Sequence, residues 1–433
     1  MRDQIFWKKR AIGRRFRRLT QIAFYKSLKK SAFSRVHPFP IFFALSLIAL
    51  LLASCQPQVL EVEVTRLVDV DGGVVAPAPE KIEVEVTRLM QQEVEVTRIV
   101  PEEVVVEVTK SPLGSAERPI QLLFAPTVNT AVISNRAPAF ADFLADATGR
   151  NFSVGVLDDE QTVIDMLCTA PVDSIAFLSE IGYVAAADQC DTAPAVLGVN
   201  HHGLDWHAGM IVVRRDSGIT SLEELAGLRW AVPDESLHNY YYFQALFADL
   251  GIELGEIVPV QGDNTAMLAV LNGEVDFATG TFVPPVLPFE EAMWVYGEDD
   301  PEVWRRLGIA PTRSGQGFVI VNGTPEQGGY HVRDARSGIF DIETTVFDET
   351  RILALSAQIP NDTIAFGADF PVSLARELIP LFAEFAASPD CIESICSADF
   401  YNWQGVHPAE DAQFEPLRFT LSTLNLTSSE IMP

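Results

Sequence analysis

Ala170-Pro-Val-Asp-Ser-Ile-Ala-Phe177 and Gly273-Glu-Val-Asp-Phe-Ala-Thr279 repeat one phrase in two distant parts of the chain. Each follows a helical pattern and sets an Asp just before a short apolar run. An apolar run of that length, bounded by turn residues, reads as a strand buried on both faces. Around the first phrase, Ile120–Ala125 and Phe152–Val156 also read as strands. Ala137–Ala147, Thr162–Leu167 and Ile181–Ala187 read as helices. The alternation predicts a doubly wound, largely parallel α/β sheet.

The second phrase has the same company. Ser221-Leu-Glu-Glu224 fits a capping box that opens a short helix closed by Gly227. Strands are expected at Leu228–Val232, Ile257–Val260 and Val275–Thr279, with helices at Leu237–Leu250 and Thr265–Leu271. Later, Arg351–Leu355 and Thr363–Phe366 read as strands and Val372–Ala387 as a long helix. Two matching α/β units predict a hinged, two-lobed body over residues 115–433, with its ligand between the lobes at the carboxyl ends of strands. The first lobe is expected at about 115–212 plus 348–433, and the second at about 213–347.

The residues before this body have another character. Residues 1–54 hold twelve basic side chains and one acid, Asp3. The apolar run Ile41–Ala53, about 13 residues, suits a signal-peptide core and is shorter than the ~20 of a spanning helix. Leu52-Ala-Ser-Cys55 follows and looks like a bacterial lipobox, which makes Cys55 the lipidation site. Residues 55–114 repeat Glu-Val-Glu-Val-Thr-Arg at Glu61, Glu83 and Glu93, with a looser copy from Val105 to Lys110. Proline interrupts this two-residue period and nothing adjacent offers a core. The segment reads as a spacer, reaching on the order of 180 Å if extended.

Charge and cysteines agree with export. The chain carries 31 basic and 59 acidic side chains, and 19 and 58 of these lie beyond residue 54, a net charge of −39 there. Such a surface repels nucleic acid. With Cys55 assigned to lipid, an even set of four remains, and proximity pairs Cys168 with Cys190 and Cys391 with Cys396. No G-x-S-x-G, H-E-x-x-H or P-loop is present, so the expectation is a binding protein without cofactor or metal, not an enzyme.

Four stretches resemble the phosphate/phosphite/phosphonate ABC-transporter substrate-binding proteins. They are Asp173–Tyr183, Ser221–Ala231, Leu268–Ala278 and, the most specific, Arg351-Ile-Leu-Ala-Leu-Ser-Ala-Gln-Ile-Pro-Asn-Asp362. The resemblance implies a type II periplasmic-binding-protein fold with a hinge and an interlobe cleft. It implies an extracytoplasmic receptor, here anchored to the bilayer through Cys55, that delivers a small anion to an ABC permease. Family members carry a Ser-Thr-Ser-Gly run at the second lobe's helix start, where hydroxyls, amides and the helix dipole grip a phosphonyl group. The same place reads Glu235-Ser-Leu-His238 in this chain.

Candidate ligand-binding residues are therefore Thr127, Ser179, Tyr183, Ser236, His238, Tyr240, Thr279 and Asp362. Ser179 and Ser236 also suit plain helix caps, Tyr183 core packing, and Asp362 a turn. His201, His202 and His207 form a cluster that suits either a metal or a solvent-facing loop. Residues 284–347 exceed the usual connection and are expected to reshape the cleft. A sulfonate or heterocyclic vitamin precursor as ligand, a module feeding a membrane sensor, and a metal-assisted extracellular enzyme are the competing readings.

Overall fold

The computed structural model describes residues 110–290 and 293–432. The signal segment, Cys55 and nearly all of the repeat spacer lie outside them. Two six-stranded sheets and one small sheet organise these residues.

The first lobe begins with β1 (Ile120–Phe124), α1 (Thr130–Thr148), β2 (Phe152–Val156), α2 (Glu160–Thr169), β3 (Ser174–Leu178), α3 (Glu180–Cys190) and β4 (Ala193–Val199). β1 pairs in parallel with both β2 and β3, as the alternation predicts. β3 is buried at all five residues, which is why its sequence is an unbroken apolar run. α1 starts seven residues earlier than its apolar pattern, capped by the Asn129 side chain, and it carries Pro138 within it.

β5 (Trp206–Arg214) carries the chain into the second lobe. There follow β6 (Trp230–Val232), α4 (Tyr242–Leu250), β7 (Ile257–Pro259), α5 (Gly262–Leu271) and β8 (Phe277–Phe282). The helix expected from Leu237 opens with a wider π-type turn, Leu237–Tyr241, and is regular only from Tyr242. Glu224 accepts from the backbone N–H groups of Thr220 (2.5 Å) and Ser221 (3.1 Å), the reach-back of the expected capping box. The element it opens is only the single 3-10 turn Glu223–Leu225.

Residues 284–347 are a folded cap. β9 (Thr312–Arg313), β10 (Val319–Val321) and β11 (Tyr330–Val332) form an antiparallel sheet. Trp304, Val319, Val321 and Phe347 join the core over α5. The buried Arg336 guanidinium fixes the cap, donating to Asp334 (2.9 and 3.0 Å) and to Glu302 (2.6 Å). Arg215 closes the network on the same Glu302. A buried guanidinium with carboxylate partners is a fixed structural joint, costly to break on one side.

The chain returns through β12 (Thr350–Leu355) and β13 (Ile359–Pro360), then completes the first lobe with β14 (Thr363–Phe366), α6 (Val372–Ala386), β15 (Gly405–Pro408) and α7 (Glu415–Leu424). β5 runs antiparallel to β8 and β12, and β14 antiparallel to β3 and β4, so each sheet is mixed where the chain enters or leaves its lobe. The lobe limits shift accordingly. β5 and β12 both pair inside the second sheet, so the first lobe ends at Val199 and resumes at Asn361 instead of changing over at 212 and 348. An apolar run buried on both faces reads alike in either sheet, so only the ladder decides its lobe.

α1 and α6 cover one face of the first sheet, where Phe124, Phe140, Phe177, Phe382 and Phe385 pack. The other face holds α2, α3 and α7. The cysteines bond as Cys168–Cys190, with Cα atoms 5.5 Å apart, and Cys391–Cys396, at 5.1 Å. The first ties the ends of α2 and α3 together. No helix among the described residues is long and apolar enough to cross a membrane.

Candidate functional site

Two segments pass between the lobes, residues 200–205 and residues 356–358 with β13. Asn361 ties them. Its amide nitrogen donates to the carbonyls of Gly198 and Leu204, both at 2.9 Å. Its backbone N–H donates to Asp205 O at 3.0 Å. These bonds fix the amide, so Asn361 Oδ1 faces His207 Nδ1 at 3.2 Å as an acceptor. His207 therefore carries its proton on Nδ1 and turns the Nε2 lone pair toward Glu180 Oε1, 3.8 Å away.

A cavity of about 280 Å³ opens at this crossing. Glu180, at the start of α3, and Asp362, just past the second crossover, come from the first lobe and His207 from β5; Asn200, His201, Tyr401 and Trp403 line the rest. No Lys or Arg is among its lining residues. Burial pushes the Asp362 carboxyl up to about 8, and the charges of Glu180 and Glu160 add to it. Burial likewise raises Glu180 to about 7, with Glu160 adding. His207 is held below the ordinary imidazole range by burial. Burial lowers His238 to about 3, and His207 close by adds to the effect. The two imidazole centroids are 4.7 Å apart, edge to face, and His238 Nδ1 is buried without a hydrogen-bond partner. The cavity thus offers carboxyls and neutral imidazoles, a surface that accepts hydrogen bonds and attracts positive charge.

The residues expected at the ligand divide. Asp362 lines the cavity and His238 stands next to it, across from His207. Thr127 is exposed on the loop after β1, beside the Tyr401 hydroxyl. Ser179 caps α3: its hydroxyl accepts from Gly182 N–H (3.0 Å) and donates to Glu160 (2.8 Å). Ser236 caps the turn that leads into α4, accepting from Asn239 N–H at 3.3 Å.

Three expectations are corrected. Tyr183 is fully buried, stacks on Phe414 at 4.1 Å and donates to Asp411 at 2.8 Å, so α3 turns it into the core. Tyr240 packs on the Trp230 ring at 5.6 Å, and its hydroxyl accepts from Gln244. Thr279 is fully buried inside the second sheet, where its hydroxyl accepts from Trp230 Nε1 at 3.1 Å. In each case the side chain alternates to the packed face of its element. Of the three clustered histidines, His201 and His207 line the cavity and His202 lies behind it. His201 stacks on His202 at 3.8 Å, and no group of three or more His, Cys, Asp or Glu among the described residues is arranged to hold a metal.

Sequence reasoning passed over Glu180, Asn361 and the Tyr401–Trp403 loop. Glu180 and Asn361 lie beside Ser179 and Asp362 inside motifs already singled out. Tyr401–Trp403 belongs to an irregular stretch with no periodic signal.

Two α/β lobes joined by two crossovers, with a small polar cavity at the crossing, make the two-lobed architecture of type II binding proteins. Residues 122–414 match the profile of the family described as "ABC transporter, phosphonate, periplasmic substrate-binding protein", and the chain belongs to that family. Members bind small solutes and hand them to a membrane permease. Among solved structures, the binding protein component of an ABC phosphonate transporter from Pseudomonas aeruginosa is 16% identical, with 70% of this chain and 86% of that chain covered, at a TM-score of 0.35. PhnD1 from Prochlorococcus marinus, solved with methylphosphonate, is 11% identical over 71% of this chain and 98% of that one, at 0.36. The aliphatic sulphonate binding protein SsuA from Escherichia coli is 12% identical over 74% and 82%, at 0.29. No curated protein matches the sequence.

Proposed function

We propose that this protein is the lipid-anchored receptor of an ABC importer and that its solute is a small phosphorus oxyanion bearing an amino group. The observation that carries the reading is the cavity at the crossing, where Glu180 and Asp362 stand without any cationic side chain. A protonated amine offsets that pair. Phosphate or phosphite alone brings more negative charge to it. On this reading the phosphonyl end goes to the start of the turn and helix 237–250, whose first backbone N–H groups suit an anion and where His238, ring to ring with the cavity-lining His207, keeps a buried Nδ1 without a partner. Cys55 holds the receptor at the outer face of the membrane, and the repeat spacer gives it reach. Binding and delivery need no nucleophile, so the role is transport without catalysis.

A second reading is favoured by the aromatic lining. Tyr401, Trp403 and two imidazoles beside two carboxyls also suit a flat heterocyclic amine, such as a pyrimidine vitamin precursor. Thermal-shift titration of the purified protein separates the two. 2-Aminoethylphosphonate should raise the melting temperature, with about 2.7 kcal/mol of added stability at 100-fold its Kd. Methylphosphonate, phosphate and taurine should act more weakly. A shift with an aminopyrimidine and none with any phosphorus oxyanion would sink the first reading in favour of the second. For the anchor, Cys55→Ala should abolish incorporation of labelled palmitate and release the protein from the membrane fraction.

A further inference from the structure

A second cavity of about 280 Å³ lies between the first crossover and the cap of the second lobe. His202 and Leu204 supply one wall. Pro284–Leu287, Trp294 and Arg333 supply the others. It backs onto the solute cavity, because His202, which lines it, stacks on His201, which lines the first.

Arg333 sets this cavity apart. Ten of the thirteen other described arginines are ion-paired with carboxylates; of the three that are not, Arg306 and Arg376 are exposed to solvent and Arg351 is part-buried but lines neither cavity. Arg333 is half-buried, and its one hydrogen bond runs from Nε to the Pro284 carbonyl at 2.9 Å. Its terminal nitrogens donate to no described residue. Burial pulls the guanidinium below its ordinary value, and nothing nearby pulls it back. The groups around it are imidazoles kept neutral: burial lowers His202 to about 4, and burial also lowers His331. A half-buried guanidinium among Pro, Leu and Trp is left short of hydrogen-bond acceptors. In so acidic a chain, its lack of a carboxylate partner among the described residues marks a position that an outside anion can fill. The planar fork suits a two-oxygen head group, and the apolar walls suit a short hydrocarbon body.

We propose that this cavity is a second binding site, separate from the solute cavity, for a small organic monoanion. Its head is held by Arg333 and His202, and its apolar body lies against Leu204, Pro285 and Trp294. One wall of the site is the first crossover, so an occupant touches the segment on which the lobes turn.

Hexanoate is the probe, with hexan-1-ol and hexylamine as controls of equal apolar body and different charge. Full-length protein is titrated with each while Trp fluorescence is followed, and Trp294→Phe identifies the part of the signal that arises at the cavity. Saturable binding of hexanoate, at least 10-fold tighter than either control, is expected. Arg333→Gln should weaken it 10- to 100-fold, as loss of a charged hydrogen-bonding group does. Arg333→Lys should retain part of the affinity, which keeps the test decisive if the glutamine variant folds poorly. Equal binding of hexan-1-ol would show a merely apolar pocket and overturn the proposal, as would no binding at all. Displacement of hexanoate by 2-aminoethylphosphonate would place both in one site and overturn the claim of separateness. Binding of hexanoate without any response to 2-aminoethylphosphonate would count against the solute reading alone.

Discussion

Asp362→Asn should stabilise the protein at mildly alkaline pH, and the size of the effect follows from the cavity. The Asp362 carboxyl is pushed from 3.8 up to about 8, and Glu180 from 4.5 to about 7. Between pH 6.5 and 8 an unfolded carboxyl has already lost its proton, whereas the folded Asp362 retains one. The folded state then binds more protons, so stability falls as pH rises. One proton retained across about 1.5 pH units corresponds to about 2 kcal/mol. His207 and His238 act the other way. Their folded values are depressed, so the unfolded imidazoles, about half protonated at pH 6.5, give an opposite contribution that fades by about pH 7.5, and the raised Glu180 carboxyl offsets it over the same range. In a domain of this size 2 kcal/mol is about 4 °C in melting temperature. Scanning calorimetry at fixed ionic strength should therefore show wild-type protein losing about 4 °C from pH 6.5 to 8. The Asn variant should lose much less and melt above wild type at pH 8. Parallel profiles, or an Asn variant that melts lower at pH 8, would refute the strained-carboxyl account.

Tyr183→Phe removes the hydroxyl that donates to Asp411 and should cost about 1 kcal/mol in urea unfolding while solute affinity, read by calorimetry, stays unchanged. Cys168→Ser with Cys190→Ser should cost about 3 kcal/mol in the same assay, more than the Cys391/Cys396 pair, because its bond spans 22 residues and the other spans 5. Gly209→Ala drives a Cβ into the His238 carbonyl oxygen, so it should move the 237–241 turn, destabilise by about 1–3 kcal/mol and weaken solute binding; unchanged affinity would detach that turn from the site.

What could be read in advance follows from where side chains alternate. Buried parallel strands such as Ser174–Leu178 announce themselves as apolar runs between turn residues, and the helices between them by period. Two matching units were enough for two lobes. The crossovers were harder. β5 is an unbroken buried run from Ala208 to Val213, so the sequence gives no sign of which sheet it joins, and its placement depends on pairing with Phe277–Phe282. The site was legible at the level of motif and not of side chain. Asp173–Tyr183 stood out as a family-like stretch holding two candidates, yet the reach of Glu180 and the inward turn of Tyr183 depend on how α3 rotates against α7 and Phe414. Asp362 was found because it ends a specific motif. Tyr401 and Trp403 reach the cavity only through folding of the C-terminal segment over β4.

On the proposed reading, the charge of the cavity also selects the solutes that close it. Glu180 and Asp362 both stand on the first lobe beside the crossovers and His207 comes from β5 of the second sheet, so closing the lobes over the carboxyl pair removes the water that screens it. Two unit charges about 5 Å apart at an effective dielectric of about 20 repel by roughly 3 kcal/mol. The empty closed state must therefore hold a proton on the pair or admit a cation. An ammonium group substitutes for that proton, whereas a bare dianion adds to the repulsion. In the proposed receptor, preference for an amine-bearing solute therefore arises at Glu180 and Asp362, independently of whatever holds the phosphonyl end. Asp362→Asn should accordingly weaken 2-aminoethylphosphonate by about 10-fold or more, the scale of a lost charged hydrogen bond. Methylphosphonate should bind the variant as well as wild type, or more tightly. If both ligands weaken together in isothermal titration, Asp362 acts on the phosphonyl end or on the hinge itself, and the amine must be sought elsewhere in the cleft.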